Sequence, residues 1–364
     1  MTNRIPLRIF LLCCLASATA APIARAQQKP WPIKIVIVTT FERGEDTGDV
    51  PGEFQFWVER EHLDEKLPFP GGVRALRTNS DHSILGMVSG TTLVNAGASV
   101  MALGLDPRFD LTHAYWLMNG IAGVDPADAS IGSAAWASYV VNDVAREIDP
   151  REAPAGWPYG IFAIGTDGPD KLPDQPLMVN DRINVYPLNA PLADWAFELT
   201  RNLKLQDTAE MQAVRETWKG FPNAQRPPFV LKGDTFASDY YWHGKIMTAY
   251  AKNWVKLWTN GQGNFVMTEM EDSAVAEALR RLDAMHRADY QRLLVLRTGS
   301  NYSMPAPGHT AVESVNAAYA GYIPALESAY ATGSTVIHAL LANWPQYSTH
   351  VPSAAAPATA APAQ

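Results

Sequence analysis

Residues 33–41, IKIVIVTTF, set five apolar β-branched side chains in a nearly unbroken run. A strand with one wet face alternates apolar with polar residues, so a run of this kind must be covered on both faces. Helices on either side of a sheet provide that cover. The rest of the chain supplies them. Further strands are predicted at 72–79 (GVRALRTN), 83–90 (SILGMVSG), 114–123 (AYWLMNGIAG), 136–147 (WASYVVNDVARE), 227–238 (PPFVLKGDTFAS), 265–270 (FVMTEM) and 292–302 (RLLVLRTGSNY). Helical spacing marks 93–105, 191–205, 242–258, 273–290 and much of 310–344. Strands alternating with helices predict an α/β fold: a single domain with a central mixed, largely parallel sheet flanked by helices. No internal repeat or linker divides it, so residues 27–348 read as one domain. The Ala/Pro-rich residues 349–364 read as a disordered tail.

Residues 1–26 read as a secretory signal peptide. Arg4 and Arg8 precede the apolar IFLLCCLASA, which is short for a membrane span, and Ala24-Arg25-Ala26 has the small-x-small pattern of a cleavage site. The expectation is an exported protein, periplasmic or secreted. Cys13 and Cys14 both lie in this leader, so the remainder has no thiol for a disulfide, a nucleophile or a metal. Removing the leader deletes three arginines and no acid, taking the net charge from −8 to −11. An acidic chain without a Lys/Arg cluster is a poor nucleic-acid binder, and no other apolar run approaches the ~20 residues of a spanning helix. No HExxH-type spacing points to a metal, no EF-hand spacing to calcium, and no GxSxG to a nucleophile elbow.

In α/β folds ligands bind where the carboxyl ends of strands lead into helices. One such junction, FVMTEMEDSAVAEAL (265–279), gathers Glu269, Glu271 and Asp272. Acidic side chains repel one another and are costly to bury without partners. A solvated turn with Asp272 or Ser273 capping the helix is the plain explanation. A carboxylate accepting from the vicinal hydroxyls of a sugar is the functional one.

Four junctions together resemble the nucleoside phosphorylase and nucleosidase superfamily, and residues 33–345 resemble the purine nucleoside permease family within it. VMTEMEDSAVAEAL is similar to the element whose glutamate holds the ribose hydroxyls. That implies Glu271 as ribose ligand, with Glu269 in support and Met270 against the sugar. GDTF (233–236) matches a turn whose aromatic residue packs near the base, implying Phe236, with His243 close behind it. SGTTLVNAGAS (89–99) stands where relatives place phosphate or attacking water, implying Ser89, Gly90 and Thr91. NGIAGVDP (119–126) matches a strand end and brings in Asn119 and Gly123. Asn301 occupies a position where many members carry an aspartate that protonates the departing purine. Asparagine has no such proton but can hydrogen-bond a purine edge, and an Asx turn explains it equally.

With export expected from the leader, the resemblance implies a protein that binds purine nucleosides and cleaves their N-glycosidic bond, with Glu271 and Asn301 at the chemistry. It implies no cofactor and leaves water and phosphate, as co-substrate, both open as nucleophile. No Lys or Arg lies beside SGTT, although Arg43, Arg74 and Arg77 are near other strand ends. The alternative is non-catalytic nucleoside capture that serves a membrane transporter partner. A homo-oligomer is compatible with either.

Overall fold

The apolar run becomes a strand, β1 (Ile35–Thr39), buried at all five positions. Its pleat sends Ile35 and Ile37 into one apolar cluster and Val36 and Val38 into another. The computed structural model describes residues 29–173 and 184–354, so the leader predicted at 1–26 lies outside the described residues. β1 is followed by β2 (Ile84–Val88), α1 (Leu93–Gly104), β3 (Tyr115–Val124), β4 (Tyr139–Asn142) and β5 (Asp234–Ala237). Then come α2 (Lys245–Trp258), β6 (Phe265–Glu269), α3 (Asp272–Ala284), β7 (Leu293–Tyr302) and α4 (Tyr322–Ala342). On one face α1 and α3 cover Val36 and Val38 with Val100, Leu103, Val275 and Leu279. On the other, α4 brings Val336, Ile337 and Leu340 against Ile35 and Ile37. The architecture is the expected mixed sheet flanked by helices.

The register of β3 places the site. Along one edge of β3, β1 pairs parallel with it from Ile35↔Tyr115 to Val38↔Met118. Farther along the same edge, β6 pairs antiparallel, at Thr268↔Gly123 and Met267↔Val124. The carboxyl ends of β1 and β6 therefore point toward each other and leave a gap opposite Gly120 and Ile121. On its other edge β3 is paired parallel with β7, which sets Arg297 beside Gly120 and Asn301 beside Gly123. Two strand ends and the middles of two further strands thus converge on one point.

Two local expectations change. Residues 136–147 are not one strand: Ala134–Trp136 and Tyr139–Asn142 are separate. Between them, the Asp234 carboxylate accepts the N–H groups of Ser138 (2.9 Å) and Tyr139 (2.7 Å) and holds the bend. Of the segment read as a disordered tail, residues 349–354 lie against the body: Val351 packs on the core and Pro352 is buried. Residues 355–364 lie outside the described residues.

Candidate functional site

Arg297 is central to the gap. Its side chain is 1% exposed and faces four carboxylates that are themselves buried. Nη2 lies 2.6 Å from Asp272 Oδ1, 3.0 Å from Glu271 Oε2 and 3.5 Å from Glu269 Oε2, and Nη1 lies 3.9 Å from Glu53 Oε1. Nη1 also donates to the Ile121 carbonyl at 3.1 Å. The cluster fills the space over Gly120, where a Cβ would stand 2.5 Å from both Arg297 Nη1 and Glu53 Oε1. A side chain at that position in β3 would have to push the Arg297 and Glu53 head groups out of the cluster.

The acidic turn has a division of labour that the sequence leaves open. Neither Asp272 nor Ser273 caps α3; Glu271 is the N-cap residue and makes no side-chain cap bond. Instead, Glu269 Oε2 accepts the N–H groups of Glu271 (2.6 Å) and Asp272 (2.7 Å). Asp272 turns inward to Arg297. Among the described residues, Glu269 Oε1 is buried without a hydrogen-bond partner. Glu53 comes from the Gly-rich stretch 41–57 and is locked in place. Its Oε2 accepts from Thr40 N and Oγ1, both at 2.7 Å, and its Oε1 from Ile121 N at 2.7 Å.

One guanidinium cannot balance four buried carboxylates, and the excess appears as proton affinity. Burial pushes Glu53 up to about 7, against the pull of Arg297. Burial and the neighbouring Asp272 drive Glu269 well above the ordinary carboxylate range. Burial also raises Glu271, opposed by Arg297. Arg297 stays charged: its partners outweigh its own desolvation.

Above this cluster lies a cavity of about 210 Å³. Of the residues predicted from sequence, Glu269, Met270, Glu271, Thr91, Gly123 and Asn301 line it. The carboxylates form one end. At the other, Asn301 Nδ2 donates to Tyr241 Oη (3.0 Å) and to the Tyr302 carbonyl (3.1 Å), while its Oδ1 accepts from Ser300 Oγ (3.0 Å). One Oδ1 lone pair is left for a ligand. Tyr240 and Tyr241, each 48% exposed, stand in the wall, and Trp242 lies behind them.

The other predicted residues stand elsewhere. Phe236 is fully buried in an aromatic cluster with Trp242, Tyr250 and Phe265, and it is Trp242 that reaches the cavity. Asn119 joins β3 to its neighbours, accepting from Trp57 Nε1 at 3.1 Å and donating to the Ala329 carbonyl at 3.3 Å. Ser89 is buried with its N–H on the Thr39 carbonyl at 2.8 Å. Gly90 supports a left-handed turn (φ 86°) outside the cavity lining. His243 faces a neighbouring cavity, and burial lowers its pKa.

The amino terminus of α1 is already occupied. Thr92 N donates to Glu271 Oε1 at 3.2 Å and Leu93 N to Asp239 Oδ1 at 2.9 Å. Arg74 and Arg77 are held by Asp46 at 3.0 and 2.8 Å, and Arg43 lies over the Tyr322 ring. Among the described residues, Arg297 is the one Lys or Arg in the cavity wall. Thr92 itself sits at φ 77°, ψ 157°, a conformation costly for any residue with a Cβ. Thr92→Gly is expected to raise stability by about 1 kcal/mol in urea denaturation; no gain would mean that the threonine side chain contributes to the turn.

Sequence reasoning missed Arg297 and Glu53. An arginine directly after the apolar run LLVL (293–296) was the available signal, since it must find acids wherever the strand is buried. Glu53 left no such trace within an acidic loop.

Comparison with known proteins bears on the family and on the fold. Residues 32–352 match the purine nucleoside permease family. A probable purine nucleoside permease of Schizosaccharomyces pombe is 31% identical over 273 residues, covering 73% of this chain and 78% of that one. A purine nucleoside permease of Candida albicans is 32% identical over 275 residues, and the match spans 74% of this chain and 66% of the relative's length. Among solved structures, Helicobacter pylori futalosine hydrolase superposes with a TM-score of 0.52 at 15% identity, over 85% of this chain and 98% of that one. The 5′-methylthioadenosine/S-adenosylhomocysteine nucleosidase of the same organism gives 0.51 at 14% identity, over 84% and 98%. These two likenesses concern the fold. With its matched residues spanning most of its length, the chain belongs to the purine nucleoside permease family.

Proposed function

We propose that the cavity binds a purine nucleoside and hydrolyses its N-glycosidic bond. The observation carrying this reading is the cavity's polarity: a buried carboxylate cluster at one end, and a neutral amide with aromatic residues at the other. Ribose hydroxyls would donate to Glu271 and hydrogen-bond with Glu269 at its Oε1, which has no partner among the described residues. The base would lie toward Asn301 and the tyrosines. Glu53 has the proton affinity of a general base working near neutrality. As a water oxygen bonds to C1′, Glu53 takes its proton. The C1′–N bond breaks, its electron pair goes to the base, and solvent supplies the base's proton. Positive charge growing on the sugar ring is stabilised by the adjacent carboxylates.

Water is favoured over phosphate because a dianion would enter a cavity whose one cation is shared among four carboxylates. The amides at the start of α1, which would hold it, already serve Glu271 and Asp239. We also infer export and delivery to a membrane transporter. Among the described residues, no helix is long and apolar enough to cross a membrane. A second reading, capture without cleavage, is favoured by Asn301, which offers the leaving base no acidic proton.

Purified protein with inosine, guanosine or adenosine, with and without phosphate, separates these readings by chromatography of free base. Release without phosphate supports hydrolysis, and release only with phosphate overturns it. Saturable binding without release leaves capture. If hydrolysis occurs, kcat in wild type should rise with pH through about 7 as Glu53 ionises. Glu53→Gln should remove that limb and lower kcat by roughly 100-fold or more. An unchanged profile would exclude Glu53 as the base.

A further inference from the structure

A second cavity, about 200 Å³, adjoins the first. Ser300, Asn301 and Tyr319 line both, whereas Glu53, Glu269 and Glu271 line only the first. The order in space is therefore carboxylates, first cavity, Asn301, second cavity. We infer that the second cavity receives a substituent on the purine ring, so that the protein accepts nucleosides whose base carries an aromatic or other bulky apolar group at its six-membered ring. This deepens the nucleoside reading and rests on it.

Ligand geometry connects the two spaces. With the ribose on Glu271, a purine extends from C1′ through its five-membered ring toward Asn301. The edge farthest from the sugar is that of the six-membered ring, so a group at carbon 6 points out of the first cavity at the Asn301 end. The walls beyond suit an apolar or aromatic guest: Ile131, Trp218, Tyr302 and Ala306 are all buried residues of this lining. Polar exceptions include His243, whose ring nitrogens are buried without a hydrogen-bond partner among the described residues. That ring gives an aromatic guest an edge-on donor, and the carboxylate of Glu313, also in the lining, is engaged by Thr310 N and Oγ1, both at 2.8 Å.

The partition is a hydrogen-bonded latch rather than packed core. Tyr241 Oη lies 2.8 Å from Tyr319 Oη, and Asn301 Nδ2 donates to Tyr241 at 3.0 Å. Tyr319 is 37% exposed and lies between a short helix (Ala311–Val315) and α4, so its ring can swing outward without opening the core. An unsubstituted purine leaves the latch closed. A substituted one exchanges a single hydroxyl pair for apolar contact in the second cavity.

Calorimetric titration of the full chain with adenosine and with N6-benzyladenosine tests this. The benzyl compound is expected to bind at least 10-fold tighter. Ala317→Trp, which fills the second cavity from a surface segment, should abolish that advantage and leave adenosine affinity unchanged. Thr217→Trp, on another element of the same wall, should do likewise, and retained adenosine binding reports intact folding for both. Equal or weaker binding of the benzyl compound, or an advantage that survives both substitutions, would overturn the inference while leaving the nucleoside reading intact. Failure of both compounds to bind wild type would overturn both readings.

Discussion

Arg297→Met is expected to lower folding stability by about 3–5 kcal/mol at pH 8, the cost of leaving buried charge without its partner. It should cost distinctly less at pH 5. The sign follows from the carboxylates around it. Their folded pKa values are raised, Glu53 to about 7, with Glu269 and Glu271 in the same direction. A raised carboxylate binds more protons in the folded state than in the unfolded, so stability falls as pH climbs from the unfolded value toward the folded one. For Glu53 that window runs from 4.5 to about 7 in the wild type. Arg297 is the main influence opposing burial at Glu53 and Glu271, and its removal drives these values higher and carries the loss above pH 7. At pH 5, well below the folded value of Glu53, that carboxyl is largely protonated with or without the arginine, so less unpaired charge is left behind and more of the cost is lost packing and lost hydrogen bonds. Urea denaturation at the two pH values reads the difference directly. An equal cost at both would mean that the cluster does not act as a charge-balanced unit.

How much of this was legible in the sequence depended on whether a residue's environment is set locally. The strands at 35–39, 115–124 and 293–302 announced themselves because continuous apolar runs have few alternatives. The break after Trp136 was invisible, because no Gly or Pro marks it and the Asp234 carboxylate that holds it lies about a hundred residues away. At the site, Glu271 and Asn301 were singled out because the strand ends that carry them resemble motifs of the superfamily, and both line the cavity. Phe236 and Asn119 were misplaced because proximity along the chain fixes the backbone's neighbourhood but not the face. Side chains alternate across a strand, and Phe236 points into the α2 cluster while its neighbour in space, Trp242, reaches the cavity. The convergence of β1 and β6 on one edge of β3 is a property of pairing, so Glu53 and Arg297 could be brought together only by the fold.

Glu271→Ala is expected to reduce nucleoside affinity, or kcat/KM if cleavage occurs, by roughly 100- to 1,000-fold. Charge-assisted hydrogen bonds of this kind are worth about 1.5–3 kcal/mol each, and two ribose hydroxyls are at stake. Bare loss of binding would not identify the contact, since Glu271 also accepts from Arg297 and from Thr92 N. A comparison of ribo- and 2′-deoxyribonucleoside does. In the wild type the missing hydroxyl should weaken binding about 10-fold or more; in Glu271→Ala the two ligands should bind alike, because the group that distinguished them is gone. The difference between the two ratios is a coupling energy between one side-chain carboxylate and one ligand hydroxyl. Stability separates this from general damage. Glu271 is a raised carboxylate in an acid-rich cluster, so its removal relieves repulsion and should leave stability above pH 7 unchanged or slightly increased. A variant that stays folded yet still discriminates the 2′-hydroxyl would show that the ribose is held elsewhere, with Glu269 the first residue to test.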